Sequence, residues 1–118
     1  MQNPNLKEDL VLIGHMLDFA GKAVDFNKGR KRTDLDSDEM LAMATIHLIE
    51  MLGEASRCVS EILQDKYPEI PWGEISGTRN RLAHGYIDVD LDIIRTIVTQ
   101  DLPPLINQLK VILEKEGL

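Results

Sequence analysis

The sequence predicts an all-α fold, an antiparallel bundle of four to five helices whose last helix is kinked or split near Pro103-Pro104. Three observations lead there. Apolar residues recur at steps of three and four in four separate stretches, which draws one stripe along each helix. No stretch alternates apolar and polar residues as a half-buried strand does. Aliphatic side chains dominate the 43% hydrophobic content while aromatics reach 4%, a balance suited to helices packed through Leu, Ile, Val and Ala.

The first stripe, Leu6, Leu10, Ile13, Leu17, Ala20 and Val24, predicts a helix over about residues 5–27, ended by Asn27-Lys28-Gly29. The polar segment up to Asp36 reads as an exposed loop. Asp36 or Ser37 is expected to cap the second helix, with Glu39 completing a capping box with Asp36. Its stripe of Leu41, Ala44, Leu48, Leu52, Ala55, Val59 and Ile62 carries it to about Lys66. Tyr67-Pro68-Glu69-Ile70-Pro71 breaks the pattern, because proline lacks an amide donor and the residue before it avoids the helical region. Pro71 can start a third helix reaching about Ala83, with Gly85 as a left-handed stop. Asp88 or Asp90 can cap the fourth, whose stripe is Leu91, Ile94, Val98, Leu102, Leu105, Leu109 and Ile112. Pro103 and Pro104 should kink it near Thr99.

A chain of 118 residues fits one domain, expected to span 1–118. One cysteine, Cys58, excludes an internal disulfide and is expected to be buried as a small apolar residue. No basic-then-apolar leader opens the chain and no apolar run approaches the roughly 20 residues that cross a bilayer; a cytoplasmic protein away from membranes is expected. The net charge of −7 argues against coating nucleic acid by bulk attraction. It leaves two local basic patches, Lys28/Arg30/Lys31/Arg32 and Arg79/Arg81, the first of which can equally be a solvated surface.

The second patch carries the candidate chemistry. Arg79-Asn80-Arg81-Leu82-Ala83-His84-Gly85-Tyr86 closes the third helix. At about 100° per residue, Asn80 and His84 share a face while Arg79 points about 140° from His84. They meet either if the helix unwinds at His84 or if two copies pool their motifs across a symmetric dimer. A histidine at a helix C-terminus is favoured in its protonated form yet exchanges protons near neutrality. Arginine offers a planar fork of donors for a phosphate, and Asn80 can orient a ribose hydroxyl or the imidazole. These groups suit metal-independent RNA cleavage by the 2′-hydroxyl, with a 2′,3′-cyclic phosphate as product. The same residues also admit a structural role, in which His84 caps a helix and Arg79 pairs with a carboxylate such as Glu54.

The segment Ile75-Ser76-Gly77-Thr78-Arg79-Asn80-Arg81-Leu82-Ala83-His84-Gly85-Tyr86, with Val89-Asp90-Leu91, Ile97-Val98-Thr99-Gln100-Asp101-Leu102-Pro103 and Gly53-Glu54-Ala55-Ser56, resembles the HepT-like toxins of the HEPN superfamily. The likeness runs through about residues 37–115. It implies a HEPN-like helical bundle, a homodimer with both motifs in a shared cleft, and a toxin ribonuclease neutralised by a minimal nucleotidyltransferase antitoxin. By resemblance Arg79 and His84 are catalytic and Asn80 supports them. Tyr86 is the residue the antitoxin adenylylates, and Arg81 and Glu54 are supporting or RNA-binding. The substrate is RNA, such as tRNA or mRNA, and no cofactor is implied.

Other candidates are weaker. His47, Glu50 and Glu54 share a helical face, but no second ligand set accompanies them and their order does not fit a carboxylate-bridged bundle; no metal is expected. His15 reads as a surface or interface residue, and Tyr67 and Trp72 as packing around the proline turn. A non-catalytic nucleotide- or partner-binding module is the alternative to the nuclease, and a pure scaffold bundle the third reading.

Overall fold

The computed structural model describes residues 2–81 and 89–117, with the last three residues of the Arg-bearing helix described by their backbone alone. Helices α1 (Leu6–Asn27), α2 (Asp34–Ser37), α3 (Glu39–Cys58), α4 (Glu61–Lys66), α5 (Trp72–Arg81), α6 (Leu91–Thr96) and α7 (Leu102–Glu116) follow in order, with a π-helical turn, Ile97–Asp101, joining α6 to α7. No strand occurs among the described residues, and the fold is an all-α HEPN-like bundle. The long helices α1, α3 and α7 supply most of its core, α1 packing against both α3 and α7 and α3 against α5 as well.

The buried face of α1 is Asp9, Ile13, Met16, Ala20, Ala23 and Asn27. Of the expected stripe, Ile13 and Ala20 lie in this face, while Leu6, Leu10, Leu17 and Val24 flank it half-buried. The offset arises because polar residues hold both ends. Asn27 donates through Nδ2 to the Ala23 carbonyl (2.7 Å) and to Thr45 Oγ1 (3.0 Å) on α3. Asp9 accepts from the Ser60 amide (3.0 Å), from Ser60 Oγ (2.5 Å) and from Asn3 Nδ2 (2.9 Å). Buried polar groups are tolerated when they are hydrogen-bonded, so apolarity alone misplaces this face.

Three boundaries correct the sequence reading. The segment expected as an exposed loop contains α2, whose Leu35 is buried; Arg30 pairs with Asp34 and Asp38, and Arg32 with Asp36 and Asp92. The two arginines of the first basic patch are thus engaged in ion pairs that tie α2 to the starts of α3 and α6. The cap of α3 is neither Asp36 nor Ser37 but Asp38, which accepts from the Leu41 amide at 3.0 Å; residues 34–37 are already helical, so the capping box of Asp36 with Glu39 does not form. The second predicted helix does not run to Lys66. It stops at Cys58, and Ser60, extended at ψ 152°, caps a separate α4, because its hydroxyl serves both the Leu63 amide and Asp9. At the other end of α1, where Asn27-Lys28-Gly29 is expected to end the helix, Gly29 has φ 74°, a left-handed stop.

The fourth helix is split around Thr99, as expected, and the structure shows how. Pro103 and Pro104 lack the amides that an α-helix would direct to Thr99 and Gln100. The turn widens instead, with the Leu102 amide donating to the Ile97 carbonyl five residues back, and α7 then begins with proline in its first turn. Cys58, expected in the core, is exposed at the end of α3. No described helix is long and apolar enough to cross a membrane.

Candidate active site at the end of α5

The chain enters α5 through a rigid corner. Tyr67 and Trp72 are both buried, the Trp72 indole N–H donates to the Tyr67 carbonyl (3.0 Å), and the Ile75 amide donates to the Pro71 carbonyl (3.0 Å). The Tyr67 hydroxyl donates to Glu116 Oε2 (2.6 Å), which also pairs with Lys66 (2.7 Å), so the C-terminal end of α7 anchors the corner. Burial, with the hydrogen bond to the Glu116 carboxylate second, pushes the Tyr67 phenol up to about 12. The Lys66 ammonium, followed by the tyrosine hydroxyl, holds Glu116 below the usual carboxylate range.

From this corner α5 runs against α3 at close quarters. A Cβ on Gly53 would stand 2.9 Å from the Ile75 carbonyl oxygen, so the absent side chain is what lets the two backbones approach. One turn further along α3, Ser56 is fully buried and its hydroxyl accepts from Ser76 Oγ at 3.3 Å. Thr78 is buried and back-bonds to the Glu74 carbonyl (2.9 Å). Gly53-Glu54-Ala55-Ser56 and Ile75-Ser76, two segments that carried the family likeness, are therefore the two halves of one helix contact. Its consequence is to fix the axis of α5 on α3.

Arg79, Asn80 and Arg81 occupy the last described turn of α5. His84 and Tyr86 lie outside the described residues, as do the expected helix end at Leu82–Ala83, the stop at Gly85 and the alternative cap Asp88. Asp90, the other expected cap, accepts from the Asp92 amide at 2.8 Å and starts α6. Glu54, expected beside Arg79 or Arg81, forms an ion pair with Arg57 at 2.5 Å on the exposed side of α3; its service to the motif arginines concerns side chains outside the described set. His15 is exposed and stacks on Phe19, ring centroids 6.1 Å apart. Among the described residues no group of three or more His, Cys, Asp or Glu could hold a metal ion.

The structure adds a feature that the sequence reading missed. A cleft of about 250 Å³ opens beside α5, walled by Ile49 and Leu52 of α3, Ile75 and Thr78 of α5, and Ile97, Leu102 and Leu105 of the π turn and α7. Glu74, Gln100, Asp101 and Gln108 also line it. The only advance signal was the Gln100-Asp101-Leu102-Pro103 segment, whose π turn no periodicity announces.

Fold and site together define a helical bundle in which α5, held on α3 by a close contact, carries Arg79 and Arg81 in its last described turn and borders a cleft. The comparisons with known proteins make that class specific. Residues 16–112 match the family described as "Ribonuclease HepT-like", and the chain belongs to this family, within the HEPN superfamily. It is 30% identical over 97 residues to "Putative RNase MJ1380" of Methanocaldococcus jannaschii, covering 82% of this chain and 89% of that one. It is 32% identical over 102 residues to "Putative RNase TTE0752" of Caldanaerobacter subterraneus subsp. tengcongensis, covering 86% and 91%. "Probable ribonuclease HepT" of Thermococcus cleftensis is 35% identical over 72 residues, 61% of this chain and 66% of the relative. No solved structure matches the chain.

Proposed function

We propose that this protein is a metal-independent endoribonuclease, a single helical domain over 1–118 acting as the toxin of a toxin–antitoxin pair. The observation that carries this reading is the family match across residues 16–112; it is supported by the close packing on α3, at Gly53 and Ser56, of the helix that carries Arg79. The names of the three relatives above, each of which carries the word RNase or ribonuclease, support the substrate class.

In this mechanism the ribose 2′-oxygen attacks phosphorus and the bond to the 5′-oxygen breaks, leaving a 2′,3′-cyclic phosphate and a 5′-hydroxyl. His84 removes the 2′-hydroxyl proton or supplies one to the departing oxygen. Arg79 stabilises the negative charge on the crowded phosphorus, and Asn80 orients the ribose or the imidazole. The working site pools the motifs of two copies in a homodimer, which brings Arg79 and His84 together across the pair; exposed Val11, Phe26, Met40 and Met43 supply apolar surface for such pairing. The antitoxin is a minimal nucleotidyltransferase that adenylylates Tyr86, and the added bulk and negative charge repel an RNA phosphate. The protein works in the cytoplasm on RNA such as tRNA or mRNA, whose shape compensates for the acidic surface.

The test is cleavage of RNA by purified protein in chelator, alongside His84→Ala and Arg79→Ala. Loss of cleavage and of growth arrest in both variants is expected. Undiminished cleavage by His84→Ala would sink the assignment. Intact mass after co-expression with the antitoxin should show adenylyl additions that vanish in Tyr86→Phe.

A further inference from the structure

The cleft beside α5 has the build of a ligand site. Its walls are core residues that cannot easily move: Leu52 is 3% exposed, Ile97 5% and Thr78 8%. Its rim is polar, and Glu74, Gln100 and Asp101 make no side-chain hydrogen bond or ion pair with the described residues, so their donors and acceptors are available to a ligand. Two of the three stand on the π-helical turn, a rare local structure found disproportionately at functional sites. The turn matters because it brings exposed Gln100 and Asp101 to the rim of the cleft whose wall is formed by buried Ile97 and Leu102 of the same stretch.

The lining also states what can bind. Two carboxylates at the rim repel a phosphate, so a nucleotide could enter only base first. Apolar walls accept the faces of a planar ring, as in sites that hold an unstacked base. Carboxylates accept hydrogen bonds from exocyclic amino groups, and a glutamine amide offers one donor and one acceptor to a base edge. Thr78 immediately precedes Arg79, and Arg81 lies about 4.5 Å further along the axis, so a base seated here directs its phosphate toward the arginine-bearing end of α5.

We propose that this cleft is a nucleobase subsite that takes an amino-bearing base, adenine, cytosine or guanine, next to the phosphate cleaved at the motif, and that Gln100 and Asp101 select it. The proposal rests on the ribonuclease reading for its phosphate, but its test stands apart. Methyl-labelled protein is titrated with the four nucleoside 3′-monophosphates, and the bases flanking the cuts in RNA are sequenced for wild type, Asp101→Asn and Gln100→Ala. The two exposed substitutions leave the core intact. Expected are shifts at the Ile75 and Ile97 methyls with the amino-bearing nucleotides, at least tenfold weaker binding of the uridine nucleotide, and a several-fold loss of that discrimination in both variants. Shifts confined to other parts of the protein, equal binding of all four bases, or an unchanged cut-site preference in both variants would overturn it. Nucleotide binding at the cleft without any RNA cleavage would support the subsite and sink the nuclease. Cleavage dependent on His84 with no base preference would do the reverse.

Discussion

Replacing Gly53 by alanine sets two opposed effects against each other. Alanine is about 1 kcal/mol better than glycine inside a helix, so at an open position the change stabilises. At Gly53 the new methyl meets the Ile75 carbonyl oxygen at 2.9 Å, and because that atom is backbone, the contact is relieved only by moving α5 away from α3. Overpacking of this kind costs about 1–3 kcal/mol, and separating the helices also stretches the Ser76–Ser56 hydrogen bond, worth about 1 kcal/mol. The net expectation is a loss of about 1–3 kcal/mol, or a midpoint lower by about 4 °C per kcal/mol for a chain of this size. Gly14→Ala is the internal control, since nothing lies within 4 Å of its added methyl; it should gain about 0.5–1 kcal/mol. Urea and thermal unfolding of the two variants measure the contrast, and RNA cleavage by Gly53→Ala measures the displaced motif. A Gly53→Ala protein stabilised as much as Gly14→Ala would refute the close approach on which the positioning of α5 depends.

Other expectations follow from the same contacts. Tyr67 titrates higher in the folded chain than the usual 10, so its contribution is intact below pH 10 and is lost as pH rises toward about 12; Tyr67→Phe should flatten the alkaline fall in denaturant midpoint relative to wild type. Glu116 titrates lower when folded, so the stability it contributes is present above its ordinary value of 4.5 and is lost as pH falls through its depressed one; Glu116→Gln should remove that acid limb in the same titration. Ser60→Ala deletes both the α4 cap and one donor to buried Asp9, and should cost about 1–3 kcal/mol by urea unfolding. Arg32→Ala breaks two ion pairs, yet these are solvent-exposed and screened, so its urea midpoint should scarcely move.

Much of this fold is legible in the sequence because helical periodicity reports which residues face the core. The stripes ending α3 and filling α7 are buried where expected, with Leu105, Leu109 and Ile112 all in the core. Failures cluster where a polar side chain settles the boundary through a partner distant in sequence. Ser60 ends the second predicted helix because Asp9, 51 residues earlier, accepts its hydrogen bonds, and Asn27 enters the core because Thr45 meets it. The prolines announced a break but not its kind, since the π turn depends on which carbonyl the Leu102 amide finds. The motif itself was visible as residue types at a spacing, while its support was not. Gly53 reads locally as a weak point in a helix, and only the approach of Ile75 shows why a side chain is absent there.

The central proposal, a nuclease working through Arg79 and His84, is tested most directly by the ends of the RNA it produces. Wild-type protein in chelator should leave 2′,3′-cyclic phosphate and 5′-hydroxyl termini, and Arg79→Ala and His84→Ala should leave the RNA intact. Fragments ending in 3′-hydroxyl and 5′-phosphate, or cyclic-phosphate fragments that persist undiminished in both variants, would contradict the account.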